Sequence, residues 1–401
     1  MHVCLLTSGR IFEPSYGGEE KFTLAFAEWL FNQKHIVTII GSTFMNVKVR
    51  TLSHEEIKPD SVPPRHVRTL NPPYLVYMLS RLVLTMLWVL RIWSLHRRIP
   101  ITILHAQDTG YAGLAAVIAG KLLRMPVIIT THGIRHRTLA QSLKGKLSGI
   151  LLKLEYRLDV YNLRNADAVV AVSHAVKQDV QKMVEREVVV IPIGIKVKDF
   201  QFSESNRSSV RSEFGIAPDQ KIIGYVGRLV PEKNLFTLLS AFIDACQSIP
   251  SLKLVIVGSG PLETEMKSRI GSNGYGQNTI FCGGRSDIGR ILSAFDVFVL
   301  PSLTEGLPTA LLEAMAAGKS IICSKIDANA ELLEETDAIF FDASDSKALS
   351  SAIQLLCTNN KVSAELARSS RLKADRYDEQ TVFSSLLEFY DSVLESTIKT
   401  H

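Results

Sequence analysis

Ten short runs of apolar residues, rich in Val and Ile, recur along the chain between longer amphipathic segments of helix length. The runs do not alternate apolar with polar residues, which is typical of strands buried on both faces. Such strands belong to parallel sheets covered by helices on both sides, so the sequence predicts an α/β fold. The runs are HVCLLTS, HIVTIIG, ITILHA, PVIITTHG, DAVVAVS, VVVIPIG, IIGYVG, LKLVIVG, DVFVLPS and SIICS.

The length of 401 residues predicts two domains or at most three. One polar segment without such a strand, Lys196 to Gln220, interrupts the series, and we place the domain boundary there. The prediction is an N-terminal domain of residues 1–198 and a second domain of residues 199–375. Residues 376–401 form a C-terminal helix with an apolar face, which we expect to pack back toward the N-terminal domain.

Composition excludes several classes of protein and partner. With 46% hydrophobic and 21% charged residues, the chain is neither disordered nor a coiled coil, and a net charge of +5 is too small to predict a nucleic-acid partner. The five cysteines are widely spaced with no C-x-x-C pair, which favours reduced, buried thiols over a zinc site or disulfides. We therefore expect a cytoplasmic protein without a signal peptide.

The longest apolar stretch runs from Tyr74 to Arg98. It contains Arg81 and Arg91, and an arginine at the bilayer centre costs roughly 2.5 to 3.5 kcal/mol, so a membrane span is not expected. Two interpretations stay open. The segment is either a buried helix of an α/β domain, or a helix that also touches lipid through Trp88, Trp93 and its basic end.

In doubly wound sheets, ligands bind beyond the carboxyl ends of the strands. The run IIGYVG is followed by Arg228 and Lys233, then by Asn234 and an apolar helical pattern. Asn234 is predicted to cap that helix, and its N-terminus with two flanking cations suits a diphosphate. The alternative is a turn carrying two solvated surface cations.

The run DVFVLPS leads into LTEGLPTALLEAMAAGK, with Pro308 at the predicted start of a helix and Gly318 at its end. Glu305 and Glu313 would lie about 12 Å apart along that helix. This exceeds the roughly 5 to 9.5 Å between two carboxylates that act on one glycosidic bond, but it suits the two ends of an elongated ligand. The alternative is a pair of ordinary helix carboxylates.

Histidines and glycines also follow predicted strands. His132 and His105 lie at strand ends, and we expect a functional role more for His132 than for His105. Gly17 and Gly18 precede a helix, where backbone can approach a ligand closely. Ser259, Gly260 and Pro261 read as a turn.

Together these residues resemble the retaining GT-B glycosyltransferases of family 4, over nearly the whole chain. The resemblance is carried by the Gly17-Gly18 loop and by THG (131–133), AVS (171–173), GRLVPEKN (227–234), VGSGPL (257–262) and PSLTEGLPTALLEAMAAGK (301–319). It implies two Rossmann-like domains facing each other across a cleft, and a nucleotide-diphosphate sugar as donor with no further cofactor.

The resemblance also implies roles for single residues. Arg228 and Lys233 would neutralise the donor diphosphate, Glu313 would hold the ribose and Glu305 the transferring sugar. His132 would lie beside the anomeric carbon. The implied catalytic residues are His132, Glu305, Arg228 and Lys233, and the implied donor-binding set is Gly17, Gly18, Arg228, Lys233, Glu305, Gly306, Leu307 and Glu313.

The sequence departs from the family pattern in three places. IPIGIK (191–196) replaces the usual Pro-Asn-Gly-Val-Asp, Ser259 replaces Asp, and DANAELLEE (327–335) replaces a glycine-rich turn before Glu331. The last departure concerns the pocket for the donor sugar.

These observations predict a metal-independent, retaining hexosyltransferase. No Asp-x-Asp motif occurs, so the diphosphate charge is expected to be met by Arg228, Lys233 and helix N-termini. The expected acceptor is a glycan or lipid-linked glycan, reached by peripheral contact with an anionic membrane; a soluble acceptor is the rival. The alternatives are a nucleotide-sugar epimerase of GT-B fold and a sugar-binding protein without catalysis.

Overall fold

The computed structural model describes residues 1–8, 18–42, 47–52, 74–133 and 148–400. The chain divides into two compact units. Unit 1 comprises Met1–Pro192 and Phe383–His401, and unit 2 comprises Ile193–Val382.

Each unit is built on one sheet. Unit 1 contains β1 (His2–Thr7), β2 (Ile36–Ser42), β3 (Val47–Leu52), β4 (Ile103–Ala106), β5 (Val127–Thr131), β6 (Ala168–Ala171) and β7 (Val189–Val190). Unit 2 contains β8 (Ile222–Val226), β9 (Lys253–Val257), β10 (Thr279–Phe281), β11 (Val297–Leu300), β12 (Ser320–Ser324) and β13 (Ile339–Phe341).

The described helices, in chain order, are α1 (Gly18–Asn32), α2 (Tyr74–Arg98), α3 (Tyr111–Leu123), α4 (Ser148–Asn165), α5 (His174–Met183), α6 (Glu204–Glu213), α7 (Leu235–Ser248), α8 (Glu263–Ser272), α9 (Ile288–Ala294), α10 (Thr309–Ala316), α11 (Asp327–Leu332), α12 (Ser346–Thr358), α13 (Asn360–Ala374) and α14 (Glu379–Thr400).

Both sheets have the doubly wound strand order. In unit 1 the order is β3-β2-β1-β4-β5-β6-β7, and in unit 2 it is β10-β9-β8-β11-β12-β13. The direction of winding therefore reverses between β1 and β4 and again between β8 and β11, the positions at which doubly wound sheets bind ligands beyond the strand ends. The predicted α/β fold with two Rossmann-like domains is confirmed.

One strand of unit 1 departs from the predicted parallel arrangement. β3 pairs with β2 in the antiparallel direction at the edge of the sheet. Its sequence, VKVRTL, alternates apolar with polar residues, as a strand with one solvated face does. The continuous apolar runs used for the prediction miss a strand of this kind.

The C-terminal helix packs on α1 through aromatic side chains. The Phe383 ring lies 5.5 Å from that of Phe22 and 5.2 Å from that of Phe26, and Tyr390 lies 5.9 Å from Phe26. Phe26, Phe383 and Tyr390 are buried. From Phe383 onward, this helix is part of the core of unit 1.

The first and last segments of unit 2 are hydrogen-bonded to each other. The Ile195 N–H donates to the Tyr377 carbonyl and the Glu379 N–H donates to the Ile195 carbonyl, both at 2.9 Å. A Cβ on Gly194 would lie 2.7 Å from the Glu379 Cα. The IPIGIK departure therefore places a glycine where these two segments come close.

The Tyr74–Arg98 stretch is a single helix, α2. Leu84, Trp88 and Ile92 on one face are buried, whereas Val83 and Leu90 on the other are exposed. Trp88 is thus a core residue and Trp93 a surface residue, since 41% of Trp93 is exposed. Among the described helices, none has the length and apolar character that crossing a bilayer requires.

Candidate active site

The carboxyl ends of β8 and β11 lie side by side at the winding reversal of unit 2. The two strands pair in parallel, with Ile223 opposite Val297 and Gly224 opposite Phe298. The segments that follow them, residues 227–234 and 301–308, therefore begin at the same edge of the sheet. The Leu303 N–H donates to the Glu232 carbonyl at 2.8 Å and ties the two segments together.

A short ion pair joins these segments at the predicted donor site. The Lys233 Nζ lies 2.6 Å from the Glu305 Oε1, and the two side chains are 14% and 9% exposed. The Ser302 hydroxyl donates to the same carboxylate oxygen at 2.6 Å. A cation predicted to bind phosphate and a carboxylate predicted to bind sugar are thus in direct contact.

Arg228 lies at the same edge but faces solvent. Its guanidinium contacts the Glu232 carboxylate at 3.3 Å, and its side chain is 64% exposed. Its carbonyl is held in place by the buried Tyr225 hydroxyl, which donates a hydrogen bond to it at 2.9 Å. The backbone is therefore held in place while the forked donor projects outward.

Glycines allow the loop after β8 to pack on the loop after β9. Gly258 has φ +136°, and a Cβ there would lie 1.9 Å from the Gly227 carbonyl oxygen. A Cβ on Gly260 would lie 2.3 Å from the Leu229 carbonyl oxygen, and the Leu229 N–H donates to the Ser259 carbonyl at 2.9 Å. The turn predicted at residues 259–261 thus supports the segment that carries Arg228 and Lys233.

Asn234 precedes α7 but does not cap it with its side chain, so this prediction is wrong. The residue is in the left-handed region at φ 53°, and its amide donates to the Ala343 carbonyl at 2.7 Å. Its amide oxygen accepts from the Thr237 hydroxyl at 2.9 Å. The side chain ties the loop after β8 to the loop after β13 instead.

The helix after β11 has the predicted limits. α10 follows Pro308, which occupies its N-cap position, and ends before Gly318 at φ +60°. Glu305 precedes the helix and Glu313 lies within it, 8% exposed. Gly306, which is half-buried, and Leu307, which is buried, directly follow Glu305 in the chain.

The glycine-poor segment before Glu331 forms the short helix α11. Asn329 is fully buried there, and its amide donates to the Ser324 carbonyl at 2.9 Å. The Ser324 hydroxyl donates to the Ser302 carbonyl at 2.5 Å. A chain of hydrogen bonds thus runs from α11 to the residue that holds the Glu305 carboxylate.

In unit 1, the two predicted histidines lie next to each other but differ in environment. His105 is fully buried, with its Nδ1 2.5 Å from the Tyr390 hydroxyl and its Nε2 2.7 Å from the Thr130 hydroxyl. Burial, with a smaller contribution from His132, lowers its pKa to about 3. His105 is thus a buried residue that is neutral at pH 7.

His132 is half-buried at the end of β5. Its Nε2 lies 3.3 Å from the Gln107 amide oxygen, and its Nδ1 has no hydrogen-bond partner among the residues that the structure describes. Burial lowers the pKa of His132 to about 4, so the ring is neutral at pH 7. A neutral imidazole donates or accepts a hydrogen bond without bringing charge.

Sequence reasoning missed a pair of carboxylates at the winding reversal of unit 1. Glu19 accepts a hydrogen bond from the Thr7 hydroxyl at 3.1 Å, and Asp108 accepts from the Ser8 and Gly110 N–H groups at 2.9 and 2.8 Å. Burial and the nearby Asp108 carboxylate raise the pKa of Glu19. The sequence feature that could have identified them is their position after the strands β1 and β4.

Gly18 begins α1, and Gly17 lies outside the described residues. In the described part of the chain, no group of three or more His, Cys, Asp or Glu side chains is arranged to hold a metal ion. The five cysteines are free, and all but Cys282 are buried.

Two family models match the chain. The model described as Glycosyltransferase Family 4 matches residues 16–199, and the model described as Glycosyl transferases group 1 matches residues 206–373. The matches fall on successive halves of the chain, one in each unit apart from a few residues at the boundary.

Two curated relatives and one solved structure show the same likeness. A Bacillus subtilis protein named as the teichuronic acid biosynthesis glycosyltransferase TuaC is 30% identical over 63% of this chain and 60% of its own length. The Escherichia coli UDP-Gal:alpha-D-GlcNAc-diphosphoundecaprenol alpha-1,3-galactosyltransferase is 29% identical over 67% of this chain and 69% of its own length. The chain therefore spans about 60 to 69% of the length of these relatives.

The solved structure is HepE from Anabaena, crystallised with UDP. It is 19% identical, covers 98% of this chain and 100% of its own, and superposes with a TM-score of 0.74. At this identity the likeness supports the fold, which is GT-B. With the two family models on successive halves and the doubly wound sheets in both units, the chain belongs to the group 1 glycosyltransferases of GT-B fold.

Proposed function

We propose that the protein transfers a hexose from a nucleotide-diphosphate sugar to a glycan or lipid-linked glycan, with retention of anomeric configuration and without a metal ion. The observation that carries the proposal is the cluster of Arg228, Lys233 and Glu305 at the winding reversal of unit 2. The family to which the chain belongs supports sugar transfer as the reaction.

Arg228 and Lys233 would bind the donor diphosphate. The exposed guanidinium of Arg228 offers paired N–H donors, and Lys233 offers a compact charge at the end of the same loop. Lys233 would exchange part of its contact with Glu305 for a phosphate oxygen, which leaves Glu305 available to the sugar hydroxyls. The UDP and UDP-glucose bound in crystals of HepE support a donor of this class.

Glu313 would accept hydrogen bonds from the ribose hydroxyls, and the turn of Gly306 and Leu307 would lie along the donor. These roles stay predictions. They are supported by the position of Glu305 before α10 and of Glu313 within it, which suits two ends of one extended ligand.

The chemistry follows from the charges of these groups. The bond between the anomeric carbon and the phosphate oxygen breaks, and a bond to the acceptor oxygen forms on the same face of the sugar. The acceptor proton passes to the departing diphosphate. Arg228 and Lys233 stabilise the charge that develops on that diphosphate, so they act more strongly in the transition state than on bound donor.

His132 is the residue of unit 1 that we propose to contact the transferring sugar. Because its pKa is lowered to about 4, it would hydrogen-bond the transferring sugar as a neutral ring rather than act as a cation. We propose that unit 1 also receives the acceptor.

For the acceptor, we propose a lipid-linked glycan reached from the cytoplasmic face of a membrane. The name of the galactosyltransferase relative supports this, because it specifies a sugar carried on diphosphoundecaprenol. A soluble glycan is the rival acceptor.

The test is a donor screen followed by kinetics. UDP, GDP and ADP sugars are compared by thermal shift, where a donor at 100 times its Kd stabilises the fold by about 2.7 kcal/mol. With the donor found, Arg228→Ala and Lys233→Ala should each lower kcat/KM by roughly 10- to 100-fold, with part of the loss in kcat. Lys347→Ala, an exposed cation elsewhere in unit 2, is the control and should match the wild type.

Normal turnover of both variants at subsaturating donor would refute the diphosphate site. Conversion of the donor sugar to an epimer without any acceptor would identify an epimerase. Donor binding with no conversion, across acceptors of both classes, would identify a sugar-binding protein.

A further inference from the structure

The charge of this chain is unevenly distributed. The 94 residues from Ser61 to Leu154 contain 13 of the 45 Lys and Arg residues but only one of the 40 Asp and Glu residues, Asp108. That stretch carries +12, and the rest of the chain carries −7, although the total is only +5. A separation of this size indicates that the basic region meets an anionic partner.

The helices of this region expose cations and hide carboxylates. α2 and α3 contain no Asp or Glu. In α4, Glu155 and Asp159 are each 1% exposed and accept hydrogen bonds from the Tyr111 and Thr109 hydroxyls. The exposed side chains of the three helices and the α3 C-cap include Arg91, Arg97, Arg98, Lys121, Arg124, Lys153, Arg157 and Arg164.

The same helices also expose large apolar side chains to solvent. α3 packs against both α2 and α4, so the three helices lie side by side. The outward side of α2 exposes between 41% and 62% of each of six large apolar residues, namely Leu82, Val83, Met86, Leu87, Leu90 and Trp93. We call this side of α2, with the exposed residues of α3 and α4, the α2–α4 face.

Apolar and basic groups are interleaved on the α2–α4 face. The Arg97 guanidinium stacks on the Trp93 ring, 3.9 Å from its centre. Ile150, Leu154 and Tyr161 are exposed on α4 among its cations. Helices with Trp and Leu beside Arg and Lys bind at the boundary between lipid headgroups and acyl chains.

We propose that the α2–α4 face docks on an anionic phospholipid bilayer. Its apolar side chains enter the headgroup boundary and its cations contact lipid phosphates. A second copy of the chain is a poor partner, because it would set one carboxylate-free basic surface against another. The proposal rests on the proposed function only in that docking would bring the enzyme to a lipid-linked acceptor.

The test is co-sedimentation of the full-length protein with vesicles. Vesicles of phosphatidylcholine alone are compared with vesicles that also contain phosphatidylglycerol. We expect binding to the anionic vesicles only, and weaker binding when salt rises from about 0.1 M to about 1 M, which shortens the screening length from about 10 Å to about 3 Å. Equal binding to both kinds of vesicle, or to neither, would overturn the proposal.

Two sets of variants separate the two contributions. Val83→Glu combined with Leu90→Glu should lower anionic-vesicle affinity by at least roughly tenfold, since it places carboxylates on the apolar side. Leu355→Glu combined with Leu372→Glu, on exposed positions of unit 2, is the matched control and should bind like the wild type.

For the charges, each cation near an anionic surface contributes about a fivefold gain in affinity, so neutralising three predicts a loss of roughly 100-fold. The triple variant carries Arg91→Gln, Arg97→Gln and Arg98→Gln. Its control removes three exposed cations of unit 2, through Lys347→Gln, Lys361→Gln and Arg368→Gln. Equal losses in the triple variant and its control would mean that net charge, and not this face, holds the protein on lipid.

Two further measurements separate a lipid surface from a second copy of the chain as the partner of this face, and separate the docking proposal from the proposed function. Sedimentation equilibrium that shows a lipid-free dimer, dissociated by Val83→Glu with Leu90→Glu, would overturn the proposal in favour of a second copy. Sugar transfer to water or a soluble acceptor is measured in parallel. If transfer persists while vesicle binding is absent, docking fails alone; if binding persists without transfer from any donor, the proposed function fails alone.

Discussion

Removing either partner of the Lys233–Glu305 pair should destabilise unit 2 about as much as removing both partners together. The two charges lie 2.6 Å apart and are mostly buried. Lys233→Ala leaves the Glu305 carboxylate with the Ser302 hydroxyl but without its cation. Breaking a buried pair in this way costs about 3 kcal/mol, and Glu305→Ala should cost a similar amount.

The double variant removes both charges together, so its cost should be close to that of either single variant. The coupling energy from the double-mutant cycle is then about 2 to 3 kcal/mol. The matched control is the neighbouring pair of Arg228 and Glu232, in which the arginine is 64% exposed. An exposed pair of this kind should show a coupling of about 0.5 kcal/mol or less.

The assay must report on unit 2. All three tryptophans, Trp29, Trp88 and Trp93, lie in unit 1, so tryptophan fluorescence follows the wrong unit. Hydrogen exchange of peptides covering β8 and β11 follows the right one, and a loss of about 3 kcal/mol speeds exchange by roughly 100-fold. A coupling equal to that of the control pair would refute the claim that Lys233 and Glu305 form one buried electrostatic unit.

Three further predictions concern backbone, pH and metal. Gly258→Ala should lower the free energy of unfolding of unit 2 by more than about 3 kcal/mol, because its Cβ would clash with the Gly227 carbonyl. The control is Gly271→Ala, whose Cβ meets open space and which should be neutral or stabilising by up to about 1 kcal/mol. Thermal denaturation compares the two variants. His105 stays neutral when folded because its pKa falls from 6.5 to about 3, so its contribution is complete above pH 6.5 and is lost as the pH falls toward 3. His105→Gln should therefore reduce the slope of unit 1 stability between pH 6.5 and 5 by up to about 1.4 kcal/mol per pH unit, and an unchanged slope by tryptophan fluorescence would contradict this. EDTA should leave sugar transfer intact, and a strict need for a divalent ion would exclude the metal-independent mechanism.

The fold could be predicted where strands are buried on both faces. β8, β9 and β11 read as continuous apolar runs because each lies inside its sheet, with helices above and below. β10 and β13 were missed, since three residues at a sheet edge leave too short a pattern. β3 was missed for a different reason, because it alternates apolar with polar residues and is not a continuous apolar run.

The candidate site was predicted in its residues but not in its contacts. The positions of Arg228, Lys233 and Glu305 follow from strand ends, which the sequence shows. Their pairing depends on β8 lying beside β11 in the sheet. Neither segment's own sequence shows that these two distant strands are neighbours. The same holds for Glu19 and Asp108, which meet only because β1 lies beside β4.

The most direct test of the account is the anomeric configuration of the product, followed by proton NMR during a reaction with the donor identified by thermal shift. With an α-linked donor, we predict that the sugar first appears in the product as the α anomer, with one nucleotide diphosphate released per sugar transferred. In the absence of a glycan acceptor, slow transfer to water should give the same anomer first. A product that first appears as the β anomer would contradict retention, and the absence of transfer with UDP, GDP and ADP sugars and both classes of acceptor would contradict the proposed activity itself.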